Sequence, residues 1–266
     1  MPNEKQPRPA LNMSIGFWLS LACLSPVLVP QAKHSRRAVL RLPEASGNSR
    51  GQWGNGTTDR RILLLGDSTA AGVGVSDHQQ GLACELARSR HRVNGETVAW
   101  QTWGLNGGRL ADLLTNLPEQ SLPQADTLII SIGVNDVTAL TRRQLFRDQL
   151  QALAAQLQQS HPGRPLHLMA VPPMQHFLAL PRPLRGLLGW RARLLDGEMR
   201  KLSRQHPDRF CHLSYPPLCA PALLAADGFH PSEEGYRCLA AAVSQRLARL
   251  DRETDDLPTA TARHTQ

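Results

Sequence analysis

Four residues with catalytic side chains stand in short glycine-containing segments of this sequence. Ser68 lies in a Gly-Asp-Ser-Thr segment, Asn135 in a Gly-Val-Asn-Asp segment, and Asp227 and His230 in an Asp-Gly-Phe-His-Pro segment. A serine hydroxyl becomes a nucleophile when an imidazole removes its proton, and a carboxylate can hold that imidazole in the correct orientation. These residue types predict acyl transfer, with Ser68 as the nucleophile, His230 as the general base and Asp227 as its partner.

Each segment also has an ordinary structural explanation when it is taken alone. Ser68 could cap a helix, and an Asn-Asp pair after a strand commonly forms a turn because both side chains bond to nearby backbone. An isolated histidine is more often structural than catalytic. The Gly-x-Ser-x-Gly motif of ordinary α/β-hydrolases is absent around Ser68. The chemical interpretation therefore depends on whether the fold brings the segments together.

The segments follow a regular alternation of strand and helix patterns. Short apolar runs typical of buried strands occur at 62–65, 97–103, 127–132, 166–171 and 210–213. Such alternation predicts right-handed crossovers and a parallel sheet with helices on both faces. Functional residues of such a sheet lie on the loops beyond the carboxyl ends of its strands.

Apolar residues at helical spacing predict helices between these strands, at 109–117, 141–157 and 187–202. Thr141 has capping-box spacing with the glutamine three residues later, so we expect a helix to begin there. Ser232 is predicted to cap the last helix, whose apolar stripe ends at Leu250.

The order of the motifs resembles the SGNH superfamily of GDSL-type esterases and lipases, which includes lysophospholipases. The resemblance covers about residues 60–250 and rests on Gly66-Asp67-Ser68, a glycine after the second strand, Gly133-x-Asn135-Asp136 and Asp227-x-x-His230-Pro231. It implies an α/β fold, namely a flavodoxin-like three-layer α/β/α sandwich around a five-stranded parallel sheet. It also implies hydrolysis of carboxylic esters, without a cofactor or a metal ion.

The resemblance assigns a role to each catalytic candidate. Ser68, Asp227 and His230 correspond to the family's catalytic triad. Asn135 corresponds to the asparagine of the oxyanion hole, where its amide donates beside the backbone N–H of Ser68.

A glycine supplies a further backbone donor to the oxyanion hole in this family. We expect it to be Gly107, because its distance from the following helix fits the family pattern. Gly104 and Gly108 are the alternatives, and Arg109 departs from the Thr or Ser often found nearby.

The segment 172–184 is proline-rich and apolar, and it follows the fourth strand, so it is a candidate cover for the cleft. With Arg182 and Arg185 it favours a lipid-like ester such as a lysophospholipid. Small acyl or carbohydrate esters, acyl transfer to an alcohol, and a non-catalytic membrane-associated binding module on the same fold stay open.

The regions outside the predicted hydrolase domain, residues 59–250, have distinct compositions. Residues 1–41 hold the apolar run 15–30 followed by basic residues, residues 42–58 are predicted to be a linker, and 251–266 a disordered tail. A signal peptide, an uncleaved anchor and a membrane-lying segment fit the apolar run about equally, and Met13 is an alternative start. If the segment is not cleaved, the basic cluster favours the cytoplasmic face.

The composition limits the remaining classes of function. The net charge of +8 suggests affinity for anionic surfaces, but few aromatic residues and no reading motif argue against nucleic acid as a partner. A zinc site would have to combine Cys211, His212, Cys219, His230 and Cys238, whose spacings fit no common pattern. We therefore expect no nucleic-acid partner and no metal, and the resemblance implies a small-molecule or lipid ester as the substrate.

Overall fold

A six-stranded sheet forms the centre of the protein. The computed structural model describes residues 9–38, 40–118, 122–177, 179–216, 218 and 220–255. The strands are β1 (Arg50–Trp53), β2 (Arg60–Gly66), β3 (Val98–Gly104), β4 (Thr127–Ser131), β5 (Leu166–Met169) and β6 (Phe210–Leu213). Their order is β1-β3-β2-β4-β5-β6, and β2 to β6 run parallel. The parallel sheet predicted from the five apolar runs is confirmed.

Helices cover both faces of this sheet. In the described part of the chain they are α1 (Pro9–Ala38), α2 (Leu82–Asn94), α3 (Leu110–Asn116), α4 (Val134–Thr138), α5 (Arg143–Ser160), α6 (Leu184–Gln205) and α7 (Glu233–Asp255). Successive residues of β2 point to opposite faces. Leu63 and Leu65 share a core with α3, α5 and α6, whereas Ile62 and Leu64 share one with α2 and α7. The result is the expected three-layer α/β/α sandwich.

The segment 42–58, predicted to be a linker, adds an antiparallel strand to the sheet. β1 pairs with the outer edge of β3, with Gly51 opposite Trp100. A Cβ at Gly51 would lie 2.9 Å from the Trp100 ring, so glycine allows the strand to lie close against this indole. The strand is mostly exposed. It therefore lacks the apolar pattern that identifies a buried strand in sequence.

The last helix continues past residue 250, where the disordered tail was predicted to begin. α7 ends at Asp255, and residues 256–266 lie outside the described residues. Arg90 is buried and donates to Asp251 at 2.7 Å and to Glu96 at 2.9 Å. This ion pair between distant parts of the chain gives the polar end of α7 a tertiary contact.

The helix that was predicted to begin at Thr141 begins at Arg143 as α5, so that prediction is wrong by two residues. The predicted start of α7 at Ser232 is confirmed. The N-cap of α5 is Arg142, without a side-chain cap. Thr141 Oγ1 instead donates to Asp136 Oδ1 at 2.8 Å, so it is not available for a capping box. Ser232 Oγ accepts from the Gly235 N–H at 3.2 Å in the first turn of α7.

The apolar run 15–30 lies within α1, which packs against α6. Phe17 is fully buried, with its ring centroid 5.8 Å from that of Trp190 and 5.2 Å from the Arg191 guanidinium carbon. Within the residues described, Ser14–Ala38 is the one helix long and apolar enough to cross a membrane, by length and composition. Its other face exposes large apolar side chains, namely Ile15, Trp18, Leu19, Leu24, Val27 and Val29.

Candidate active site

Three loops meet at the carboxyl edge of the sheet. Ser68 follows β2, Asn135 lies in α4 directly after β4, and Asp227 and His230 precede α7. Ser232, at the start of α7, closes the last of these loops by accepting from the Gly235 N–H. The four residues singled out in the sequence therefore lie on elements that share one edge, as the topology of a parallel sheet requires.

Ser68, His230 and Asp227 form one continuous chain of hydrogen bonds. His230 Nδ1 lies 2.6 Å from Asp227 Oδ2, and His230 Nε2 lies 2.8 Å from Ser68 Oγ. An ionised carboxylate only accepts, so Nδ1 carries the hydrogen and Nε2 accepts from the serine hydroxyl. The Asp227 side chain is 1% exposed and that of His230 18%. The carboxylate is thus shielded from water, whereas the imidazole keeps a face toward the cleft.

The Asp227 carboxylate is held in its ionised form. Burial is the largest influence and acts to raise the pKa of Asp227, but hydrogen bonds from the His230 ring and from the backbone of His230 and Phe229 together lower it. Asp227 Oδ1 accepts these backbone N–H groups at 3.0 Å from His230 and 2.9 Å from Phe229. The same tight loop therefore orients the carboxylate and keeps it charged.

The pKa of Asp67 is shifted in the opposite direction to that of Asp227. It is 3% exposed, and its Oδ1 accepts the Thr69 N–H at 3.1 Å. Burial raises the pKa of Asp67 to about 7, although this backbone bond and the nearby His230 act to lower it. At neutral pH this carboxyl, adjacent to Ser68, is therefore balanced between its neutral and ionised forms. No pattern in the sequence predicts this burial.

Asn135 presents its side-chain amide at the same edge. Its Nδ2 donates to Gly108 O at 2.9 Å, which fixes the amide against the turn before α3. An amide nitrogen carries two hydrogens. The second one has no hydrogen-bond partner within the part of the chain that the structure describes, and it is available to a ligand.

The three candidate glycines near Asn135 differ in their backbone contacts. The Gly108 N–H donates to Leu105 O at 2.8 Å. Gly104 packs against the loop of Ser68, since a Cβ there would lie 2.2 Å from Ala71 N. Gly107 has a φ of 76°, and its N–H has no partner among the described residues. Of the three, Gly107 is the one whose N–H is free while its backbone conformation requires glycine.

Asp136 ties the turn of Gly107 to the helix of Asn135. Its Oδ2 accepts the Leu110 N–H at 3.0 Å, at the start of α3, and its Oδ1 accepts the Thr141 hydroxyl. Burial raises the pKa of Asp136, although these two hydrogen bonds act to lower it. Asp136 therefore braces the two loops that hold Gly107 and Asn135.

Two contacts fix the loop of Ser68, and neither was predicted from the sequence. A Cβ at Gly66 would lie 1.9 Å from Ser131 O, so β2 and β4 come together here only because residue 66 is glycine. Tyr236, fully buried on α7, donates from its hydroxyl to Val73 O at 2.7 Å. A glycine at the end of a strand was a visible signal, but the partner of Tyr236 was not.

The segment 172–184 forms an apolar wall beside His230. Phe177 is buried, and its ring centroid lies 4.6 Å from that of Phe229, which lies 5.2 Å from that of His230. The segment also packs on α6, where a Cβ at Gly189 would lie 2.5 Å from Gln175 Oε1. Residue 178 lies outside the described residues. Neighbouring residues of this segment therefore contact the loop of His230 and pack on α6.

Of the residues considered for a zinc site, the two histidines bond to carboxylates and one cysteine lies outside the described residues. His212 Nε2 lies 2.8 Å from Asp196 Oδ1, and His230 contacts Asp227. Cys219 is outside the described residues. Over the described ranges, no group of three or more His, Cys, Asp or Glu residues could hold a metal ion.

Solved structures of esterases and lipases share the fold. The psychrotrophic esterase EstA from Pseudoalteromonas sp., in a structure inhibited by monoethylphosphonate, is 18% identical with a TM-score of 0.55, over 73% of this chain and 100% of that one. The lipase/acylhydrolase from Enterococcus faecalis is 22% identical with a TM-score of 0.55, over 72% of this chain and 96% of that one. TesA is 20% identical with a TM-score of 0.54, over 72% and 99%. At these identities the likeness establishes the fold alone.

Sequence comparison identifies the family. The GDSL-like esterase Rv1075c of Mycobacterium tuberculosis (strain ATCC 25618 / H37Rv) is 26% identical over 250 residues, which cover 87% of this chain and 79% of that protein. The model of the GDSL-like Lipase/Acylhydrolase family matches residues 64–238, a range that includes all four catalytic candidates. The chain therefore belongs to the GDSL-like lipase/acylhydrolase family and is a hydrolase that acts on ester bonds.

Proposed function

We propose that this hydrolase cleaves carboxylic esters with Ser68 as the nucleophile, His230 as the general base and Asp227 as the group that orients it. The observation that carries the proposal is the hydrogen-bond chain from Asp227 Oδ2 through both ring nitrogens of His230 to Ser68 Oγ. This geometry lets Nε2 remove the serine proton as Oγ attacks. The charge on Asp227 then stabilises the imidazolium that forms.

The proposed reaction has two halves. Ser68 Oγ bonds to the ester carbonyl carbon, and its proton moves to His230 Nε2. The C–O bond to the alcohol breaks as Nε2 returns the proton to that oxygen, leaving an acyl group on Ser68. Water then attacks the acyl carbon while His230 takes its proton, and the acid leaves as Ser68 Oγ regains a hydrogen.

We propose that three donors stabilise the negative oxygen of the tetrahedral intermediates. They are the backbone N–H of Ser68, the backbone N–H of Gly107 and the Asn135 amide. The free N–H of Gly107 and the unused hydrogen of Asn135 support this assignment. Donors fixed before the reaction are effective because they need no reorganisation as charge develops.

We further propose a lipid-like acyl ester, such as a lysophospholipid, as the substrate at a membrane surface. The exposed apolar face of α1 supports this proposal, because large apolar side chains at this density are typical of interfacial helices. Lys33, Arg36 and Arg37 follow on the same helix and are exposed, which suits an anionic headgroup region.

The test is hydrolysis of p-nitrophenyl esters from acetyl to palmitoyl by the full chain, with Ser68→Ala as the control. We expect activity in the wild type, loss of it in Ser68→Ala, and labelling of Ser68 alone by a fluorophosphonate. An optimum at long acyl chains would support the lipid-like substrate, and an optimum at acetyl would contradict it. Full activity in Ser68→Ala would overturn the nucleophile assignment.

A further inference from the structure

An apolar cavity of about 210 Å³ lies between α1 and the hydrolase body. Its walls are mainly leucine side chains from α1, α6 and the neighbouring loops: Leu21, Leu28, Leu140, Leu180, Leu184 and Leu188. Two of its lining residues, Arg36 and Thr138, are exposed, so the cavity is open to solvent and can admit a ligand from the surface. A space of this kind suits an apolar ligand.

The cavity lies next to the catalytic edge of the sheet. Thr138, which lines it, is one helical turn beyond Asn135 on α4, a rise of about 5 Å. Leu180, on another wall, bonds through its N–H to the carbonyl of Phe177, whose ring contacts Phe229 beside His230. One wall residue therefore lies a helical turn from the proposed oxyanion amide, and another is bonded to a residue that packs on the loop of the general base.

The orientation of α1 brings its C-terminal half to this same edge. α1 runs antiparallel to α6, since Gly16 lies against Trp190 and Gln31 bonds to Leu184. α6 begins at the carboxyl edge of the sheet, so the later turns of α1 lie there too. After α1 the chain reaches Ala45, whose N–H donates to Ala71 O at 3.1 Å on the loop of Ser68.

Specific polar contacts hold α1 in this position. The Gln31 amide donates to Arg182 O at 2.7 Å and accepts the Leu184 N–H at 3.3 Å. Near the other end, Arg143 donates to Ser14 Oγ at 2.7 Å. Because these hydrogen bonds need specific partners, they hold α1 in one defined position on the hydrolase body.

One polar atom in the cavity has no partner. Ser35 lines it and is 6% exposed, and its Oγ has no hydrogen bond among the described residues. Arg36 lines the same end. The lining from Leu21 to Arg36 covers about 22 Å of helix, so the cavity is elongated and becomes polar toward the catalytic edge.

We infer that this cavity takes the acyl chain of an ester bound at Ser68, which makes α1 a substrate-binding element and not only a targeting or anchoring segment. The inference rests on the proposed esterase function. The carbonyl lies at Ser68 and Asn135, the chain enters past Thr138 and runs along the leucines, and the polar end beside Ser35 and Arg36 faces the more polar part of the ester. Each methylene buried in such a cavity raises kcat/KM about fourfold until the space is filled.

A matched pair of substitutions on one helix tests this assignment. Ala32→Trp fills the cavity, because Ala32 lines it, whereas Ala22→Trp places the same ring on the exposed side of α1. The measurement is the ratio of kcat/KM for a dodecanoyl and an acetyl p-nitrophenyl ester, below the concentration at which either aggregates. We expect Ala32→Trp to lower the ratio at least about tenfold and Ala22→Trp to leave it unchanged. An unchanged ratio in Ala32→Trp would overturn the inference.

A second measurement on the unaltered chain covers the case in which Ala32→Trp displaces α1. A dodecyl fluorophosphonate with a diazirine at the end of its chain is reacted with the protein, irradiated and mapped by mass spectrometry. We expect phosphonylated Ser68 cross-linked to residues 21–36. Labelling of Ser68 with cross-links only elsewhere would refute the acyl site and leave the esterase intact, whereas absence of labelling would refute the proposed function itself.

Discussion

The pKa values of two carboxyl groups near the Ser68–His230 pair are shifted in opposite directions. Hydrogen bonds from its own loop keep Asp227 ionised behind the imidazole. Asp67 precedes the nucleophile in sequence, and burial raises its pKa to about 7. In the proposed mechanism, negative charge is therefore fixed where it would stabilise an imidazolium, and it is reduced in the loop where the serine oxygen would attack.

Replacing Asp67 should change how stability depends on pH. Its pKa is raised from about 3.9 in the unfolded chain to about 7 in the fold, so the protonated form stabilises the native state. This contribution is complete below about pH 4 and is lost as the pH rises through about 7. Asp67→Asn keeps an acceptor for the Thr69 N–H and removes the titration.

Urea unfolding across this pH range measures the effect. We expect the free energy of unfolding of Asp67→Asn to fall less than that of the wild type between about pH 4 and 7, and to exceed it above pH 7. Asp59→Asn, which replaces another carboxylate that accepts a backbone N–H, that of Thr97, is the control. Parallel curves for Asp67→Asn and the wild type would contradict the raised pKa.

Removal of the Asn135 amide should affect the transition state more than substrate binding. Loss of one oxyanion donor lowers kcat by about a hundredfold to a thousandfold. We therefore expect Asn135→Ala to show this loss with KM nearly unchanged, in steady-state assays with an acetyl ester. Asn116→Ala, which removes an amide bonded to Asp112 O at the end of α3, is the control and should keep normal kinetics. A normal kcat in Asn135→Ala would exclude the amide from the oxyanion hole.

At the scale of elements, α6 contains glycines with opposite roles. Gly189 allows the segment 172–184 to lie against the helix, since a Cβ there would be 2.7 Å from Gln175 N. A Cβ at Gly197 would meet nothing within 4 Å. Glycine lowers helix propensity at both positions, and only the tertiary surroundings distinguish them.

Alanine at these two positions should change stability in opposite directions. Gly197→Ala should raise the free energy of unfolding by about 0.5–1 kcal/mol, because alanine loses less backbone freedom on folding. Gly189→Ala should lower it by about 1–3 kcal/mol, because backbone has to move away from the new methyl group. Thermal and urea unfolding measure both. A stabilised Gly189→Ala would show that the segment 172–184 does not rest on α6.

At the scale of the whole molecule, the basic end of α1 and the catalytic loops share one edge. The antiparallel packing of α1 on α6 brings Lys33, Arg36 and Arg37 toward the side where Ser68 lies. The exposed apolar face of α1 is continuous with this basic end. A membrane surface bound by α1 would therefore lie on the side of the sheet that holds the proposed active site.

Vesicle binding should depend on both features of α1. We expect the full chain to sediment with anionic vesicles more than with zwitterionic ones, and binding to weaken between 0.1 M and 1 M salt, where the Debye length falls from about 10 to about 3 Å. Serine at Leu19 and Val27 should lower partitioning at least about tenfold. Serine at Val93 and Leu145, which are equally exposed on other helices, should not. Equal binding by both double variants would refute the role of α1.

The sequence by itself determined the alternating sheet, the identity of the catalytic candidates and their common edge. These features depend on local information: the short apolar runs at 62–65 and 127–132 are typical of buried strands, and residues such as Ser68 and Asn135 follow those runs closely. Because parallel strands all end at one side, motif order and strand order together predict a shared site.

Only the tertiary structure decided the features that depend on contacts between distant residues. β1 has no apolar pattern and exists because the edge of β3 offers it hydrogen bonds, and α7 extends because Asp251 meets the buried Arg90. The burial that raises the pKa of Asp67 is likewise invisible in its neighbours along the chain. The position of α1 depends on Gln31 and Phe17 finding partners on α6 and the loop before it. Composition shows how apolar a segment is. Which part of the protein it packs against depends on the shape of that surface and on hydrogen-bond partners that are distant in sequence.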